Sequence, residues 1–113
     1  MTKMLWNIGC SSGCVAVLLG AFGAHALKSR FSPQTLEIWG TAVHYQFFHS
    51  LALLIGVKCG SRIAPILFAS GILLFSGSLY ALALTGERKF GAITPLGGLA
   101  FAAGWIALAY ETP

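Results

Sequence analysis

Charge is what this sequence has least of. Seven basic and three acidic side chains make up 9% of its 113 residues, where soluble domains carry roughly 25%. A water-facing surface cannot be assembled from that inventory, so the solvent around the folded chain is lipid. Reaction motifs are missing as well. There is no nucleophile elbow, phosphate loop, dinucleotide fingerprint or HExxH helix. One inward glutamate lacks the partner that acid–base work requires. Cysteine numbers three, an odd count that excludes a complete disulfide framework. No basic cluster is interleaved with aromatics in a soluble module, so nucleic acid is excluded as a partner. The net charge of +4 belongs instead to basic residues at lipid headgroups.

What is present is apolar and regularly divided. The chain is 57% hydrophobic with a mean hydropathy of +0.80. Between Lys3 and Lys28 lie 24 uncharged residues, between Glu37 and Lys58 20, between Arg62 and Glu87 24, and between Lys89 and Glu111 21. About 20 mostly apolar residues are needed to cross a hydrocarbon core of about 30 Å as a helix. The spacing therefore predicts an all-α integral membrane protein. One domain over residues 1–113 carries four transmembrane helices, at about 5–27, 33–57, 63–85 and 95–110, in an antiparallel up-down bundle. Short connections at 58–62 and 86–94 make neighbours antiparallel. Four spans put both termini on one side. Three basic residues (Lys3, Lys58, Arg62) then oppose four (Lys28, Arg30, Arg88, Lys89), a difference too small for the positive-inside rule to choose an orientation.

The stretch Ala24-His25-Ala26 has the small-x-small form of a secretory cleavage site. The run before it exceeds the about 7–15 apolar residues of a signal peptide and is broken by Asn7, Ser11 and Ser12. An uncleaved spanning helix is expected. Along it Ser12, Ala16, Gly20 and Ala24 are four apart, Gly9 and Gly13 form a GxxxG, and Gly23 follows. Such small residues let helix backbones approach closely, and packing within the chain's own bundle is expected. Gly77, Gly97 and Gly98 are placed in the same packing class. Cys10 and Cys14, one turn apart, read as small buried hydrophobes. Cys59 lies at a membrane edge. Trp6, Trp39, Trp105 and Tyr110 stand near segment ends, where amphipathic rings favour the interface.

Helix two opens with Ser32 as a cap and Pro33 in the first turn. At 100° per residue, Gln34, Glu37, Thr41, His44, Tyr45 and His49 fall within an arc of roughly 140°. Polar groups at membrane depth face the bundle interior or a water-filled cavity, so the arc is expected to point inward. Helix three carries Ser76 and Tyr80 one turn apart, with Gly86 as its C-cap. Thr94-Pro95 reads as a cap followed by a first-turn proline. Either the segment kinks at Pro95, or Phe90 to Thr94 enters the membrane as non-helical backbone covered by protein.

The candidate polar cluster inside the bundle is thus His25, Glu37, Thr41, His44, Tyr45, Gln46, His49, Ser76 and Tyr80. His25 is expected to turn toward another helix and form a hydrogen bond there. Three imidazoles with Glu37 have the chemistry to bind a metal or relay protons. Against that, His44 and His49 are five apart, not the i, i+4 spacing of a helical zinc pair. Interhelical hydrogen bonds, no metal and no cofactor are expected.

"GAFGAHAL", "WGTAVHYQFFHSLALL", "LFSGSLYALALTG", "ITPLGG" and "AGW", taken in order from Gly20 to Trp105, resemble the successive motifs of the YgdD/YwdK family. This family is also described as domain of unknown function 423, and human transmembrane protein 256 is a relative. The matching positions include Gly20, Gly23, His25, Tyr45, Gln46, His49, Ser76, Gly77, Ser78, Tyr80, Thr94, Pro95, Gly97 and Gly98. His44 stands outside the resembling pattern. The resemblance implies a four-helix, multi-pass protein of the bacterial inner membrane with no established reaction or ligand. With no reaction motif and several small-residue helix faces, the expected role is non-enzymatic. It would be the organising or stabilising of the membrane through lipids, a membrane-protein partner or a second copy. The alternative is a minimal transporter or an ion, proton or metal pathway built on His25, His49 and Glu37.

Overall fold

The computed structural model describes residues 1–112. Four long helices follow one another: α1, Thr2–His25; α2, Pro33–Lys58; α3, Ala64–Thr85; and α4, Thr94–Glu111. A 3-10 turn, Arg88–Ala92, leads into α4. Helices α1 and α3, and α4 together with its lead-in turn, are long and apolar enough along their length to cross a membrane. Helix α2 is the less apolar one. It packs against both α1 and α3, while α4 packs chiefly on α3. A helix that carries polar groups through lipid must lie among its neighbours, and α2 does. Its 26 residues extend about 39 Å, longer than a hydrocarbon core of about 30 Å.

The local signals explain the boundaries. Ser32 Oγ accepts the Thr35 amide at 3.2 Å with Pro33 in the first turn. Gly86 ends α3 in the left-handed conformation, φ +73°, which costs glycine nothing. Thr94 does not cap α4. It is the first residue inside the helix, and its hydroxyl lies 2.6 Å from that of Ser78 on α3. The stretch from Phe90 to Thr94 is helical throughout except for a turn at Ile93.

Helix α3 contains a π turn, Ile72–Ser76. Such a turn inserts one residue into the helical count and shifts everything after it by about 100°. Phe68 and Tyr80 would stand about 120° apart on a regular helix; the inserted residue brings them to about 20°. Phe68, Ser76 and Tyr80 consequently all meet α2, at His49, Ala42 and Gln46 in turn. The π turn is also where α4 comes nearest. A Cβ on Gly97 would strike the backbone of Phe75.

Glycine sets the other approaches. Trp39 lies over Gly23, Leu54 over Gly9, Val43 beside Gly20, Phe101 over Gly71 and Phe68 over Gly104. The GxxxG pair of α1 faces α2 within the same chain, with Gly13 opposite Ser50. Gly77 meets nothing within 4 Å, and Gly98 makes only ordinary contact with Phe75; neither is a close-packing position. Cys10 and Cys14 are exposed, contrary to the buried role expected. Helix α1 packs on one side, and Leu5, Gly9, Ala16 and Gly23 occupy that side. Trp39 is 5% exposed and belongs to the core, not to the interface, because the notch at Gly23 admits its ring.

The interior is banded along the bundle axis. Leu5, Ala52, Leu53, Ala64, Phe68 and Phe101 form an apolar plug at the end that holds the termini. Leu27, Trp39 and Ala83 form a second plug at the opposite end. Between them lies a belt of polar side chains.

Candidate functional site

Gln46 is the centre of the belt. It is 5% exposed and uses both ends of its amide. Nε2 donates to the Ser12 carbonyl at 2.9 Å and reaches the Ser12 hydroxyl at 3.3 Å. Oε1 accepts the Tyr80 hydroxyl at 2.7 Å. Ser50 Oγ stands 2.6 Å from both the Ser12 hydroxyl and the Gln46 carbonyl. One residue of α2 therefore joins α1 to α3. Beside it the Ser76 hydroxyl, placed by the π turn, donates to the Ala42 carbonyl at 2.7 Å. The Tyr80 ring meets Trp39 edge-on at 4.8 Å, and the Trp39 indole donates to the Leu19 carbonyl at 2.9 Å. Interhelical bonds of this kind average about 0.6 kcal/mol in a membrane protein. Their larger effect is to fix the rotation of each helix, because an unpaired amide in lipid costs several kcal/mol.

One turn toward the termini, His49 forms a second centre. Its Nδ1 is 2.8 Å from the Tyr45 carbonyl, and its Nε2 accepts the Trp105 indole N–H at 3.1 Å. A carbonyl only accepts and an indole only donates, so the contacts specify the neutral tautomer with its proton on Nδ1. The imidazole stacks on Phe101 at 3.6 Å between centroids, 12° from parallel, and meets Phe68 and Trp105 at steeper angles. Trp105 thus bonds to α2 as well as lying near the end of its own helix.

The remaining expected members lie elsewhere. His25 ends α1 and is exposed. No hydrogen bond from its side chain to another helix is formed among the described residues. At the headgroup end the imidazole needs no protein partner, and Gly23 takes the contact with α2 instead. Gln34, Glu37, His44 and Tyr45 are exposed. Thr41 is half-buried and donates to the Glu37 carbonyl of its own helix at 3.0 Å. The face of α2 that points inward is Trp39, Ala42, Gln46, His49, Ser50 and Leu53, displaced from the arc read on the sequence. Tyr45 lines its edge, with its ring 4.5 Å from Phe75. His49 lies 12 residues beyond Glu37, about 18 Å along the helix. No three His, Cys or Glu side chains come together among the described residues.

Ser12, Ser50, Trp39 and Trp105 complete the two centres and were not expected there. Ser50 follows Gln46 by four residues, a spacing that signals one helix face. Nothing local marks the indoles as donors to other helices. A third junction was likewise unforeseen. The Glu111 carboxylate at the end of α4 accepts the Ser61 hydroxyl at 2.7 Å and the amides of Arg62 and Ile63, each at 2.9 Å. It holds the start of α3, where a negative charge also suits the helix dipole.

A family model described as "Protein of unknown function (DUF423)" matches residues 19–98. A UPF0382 membrane protein of Staphylococcus haemolyticus is 43% identical over 97% of this chain and 95% of its own. One of Staphylococcus saprophyticus is 44% identical over 97% of both chains. The UPF0382 membrane protein YwdK of Bacillus subtilis is 40% identical over 92% of this chain and 91% of its own. No solved structure matches. The chain belongs to the DUF423 family, as a multi-pass integral protein of the bacterial cell membrane.

Proposed function

We propose that this DUF423 protein is a non-enzymatic membrane element that organises the lipids or a partner protein around a rigid helical frame. The observation that carries the reading is the closure of the polar belt. Among the described residues, no buried side-chain nitrogen or oxygen lacks a hydrogen-bond partner. A transport or catalytic site needs groups left free to meet a substrate. Here Gln46 spends both ends of its amide on protein, and His49 spends both ring nitrogens. A pathway through His25, Glu37 and His49 is disfavoured by their separation and by the exposure of the first two.

The test is reconstitution. Pure protein in proteoliposomes is assayed for proton and divalent-metal flux, and for the response of a polarity-sensitive lipid-order probe. The expected result is flux no greater than in empty vesicles, together with altered lipid order. Proton or metal flux that disappears in His49→Ala overturns the reading.

A further inference from the structure

A trough of about 440 Å³ runs between α1 and α2 at the end opposite the termini. Gly20, Ala24, Gly40 and Val43 line it, Lys28 stands at its mouth, and His44 lies at its deep end. The protein does not fill it from below, since a Cβ on Gly40 would meet nothing within 4 Å. Lys28 is exposed and follows the first spanning helix directly, which puts its ammonium at headgroup level. Arg30, also exposed, lies two residues on. A cation over an apolar trough is complementary to an amphiphile with an anionic head and a hydrocarbon tail. Gly9 and Gly13 of α1 face α2 directly, Gly23 admits Trp39 and borders the trough with it, and Ala24 with Gly40 of α2 borders its open part.

We propose that this trough is a lipid site: it seats one acyl chain of an anionic phospholipid whose phosphate rests on Lys28. The proposal rests on the reading that the protein organises lipids, and it names the class of lipid. Lysine supplies a point charge for the phosphate; a zwitterionic lipid carries the same phosphate, but its own ammonium offsets that charge and opposes Lys28. A basic residue near an anionic membrane surface is worth about a fivefold change in affinity, enough to distinguish lipids that share their acyl chains.

The experiment is native mass spectrometry of the full chain in detergent. Dioleoyl phosphatidylglycerol and dioleoyl phosphatidylcholine are titrated separately. The parent is expected to prefer the anionic lipid about fivefold. Lys28→Gln abolishes the preference. Gly40→Leu, whose side chain enters open space, weakens binding of both lipids without lowering the melting temperature of the lipid-free protein. Lys3→Gln, at the far end, behaves as the parent. Equal binding of the two lipids by the parent overturns the proposal. So does a preference that survives Lys28→Gln, or one that Lys3→Gln removes equally. A dimer that Gly40→Leu dissolves also overturns it, by assigning the trough to a second copy. Should Gly40→Leu fail to fold, Lys28→Gln still decides. Proton or metal flux that disappears in His49→Ala would end the organising role and leave this lipid preference standing, so the two failures are distinguishable.

Discussion

The Tyr80 hydroxyl donates to Gln46 Oε1 across 2.7 Å, and the other end of the same amide holds α1. Loss of the hydroxyl in Tyr80→Phe leaves a buried amide oxygen unpaired. The expected cost is about 1 kcal/mol in SDS-induced unfolding. Gln46→Leu costs more, because it releases Ser12 as well. In a double-mutant cycle the two changes cost less together than their sum, as expected for residues sharing one bond. Additive losses would show that the bond does not stabilise the fold.

Glycine substitutions should separate by site. Gly97→Ala drives a methyl group into the Phe75 backbone at the π turn, and backbone cannot swing aside. A loss of about 1–3 kcal/mol is expected, the usual cost of overpacking. Gly104→Ala meets the Phe68 ring at 2.7 Å and is expected in the same range. Gly77→Ala meets nothing and is expected to stabilise by up to about 1 kcal/mol through helix propensity. Unfolding of the three variants side by side checks the order.

His49 should carry its proton on Nδ1. Nitrogen-15 NMR of labelled histidine is expected to show a protonated Nδ1 and a bare Nε2 for this residue. Trp105→Phe keeps an aromatic ring and removes only the donor, so it is expected to cost about 1 kcal/mol and to shift the Nε2 resonance. A doubly protonated ring at neutral pH would contradict the contacts with Tyr45 and Trp105.

Glu111 ties the end of the chain to the start of α3. In Glu111→Ala the amides of Arg62 and Ile63 lose their acceptor, and their hydrogen exchange is expected to accelerate. Glu111→Gln retains an acceptor without the charge and should fall between the two. Unchanged exchange at both amides in Glu111→Ala would rule out the tie.

Exposed polar residues make the contrasting set. His25→Ala and Glu37→Gln are each expected to change stability by no more than about 0.5 kcal/mol. A large loss in His25→Ala would restore the interhelical bond expected from the sequence.

The spans were legible because hydropathy and charge spacing are properties of the chain in one dimension. Lipid requires a run of uncharged residues of fixed length, and Lys28, Glu37, Lys58, Arg62, Glu87 and Lys89 mark where each run stops. Ser32, Pro33 and Gly86 are legible for a similar reason, since a cap acts within one turn. Their structural roles match their local chemistry. The rotation of α2 was not legible. A polar arc can be drawn through Glu37, His44 and Tyr45, yet the inward face is the one that meets the Gly23 notch and the hydroxyls of Ser12 and Tyr80.

By itself, the sequence determined the apolar solvent, the all-helical class and the local stops and starts at Ser32, Pro33 and Gly86. Only the tertiary structure decided which polar groups meet. Gln46 lies 34 residues from both Ser12 and Tyr80, and Trp105 is 56 residues from His49. The angle at which Tyr80 arrives depends on one residue inserted at the π turn. Each of these pairings follows from how a helix is turned about its own axis, and that angle is set by the neighbour's clefts and donors, which no local pattern encodes.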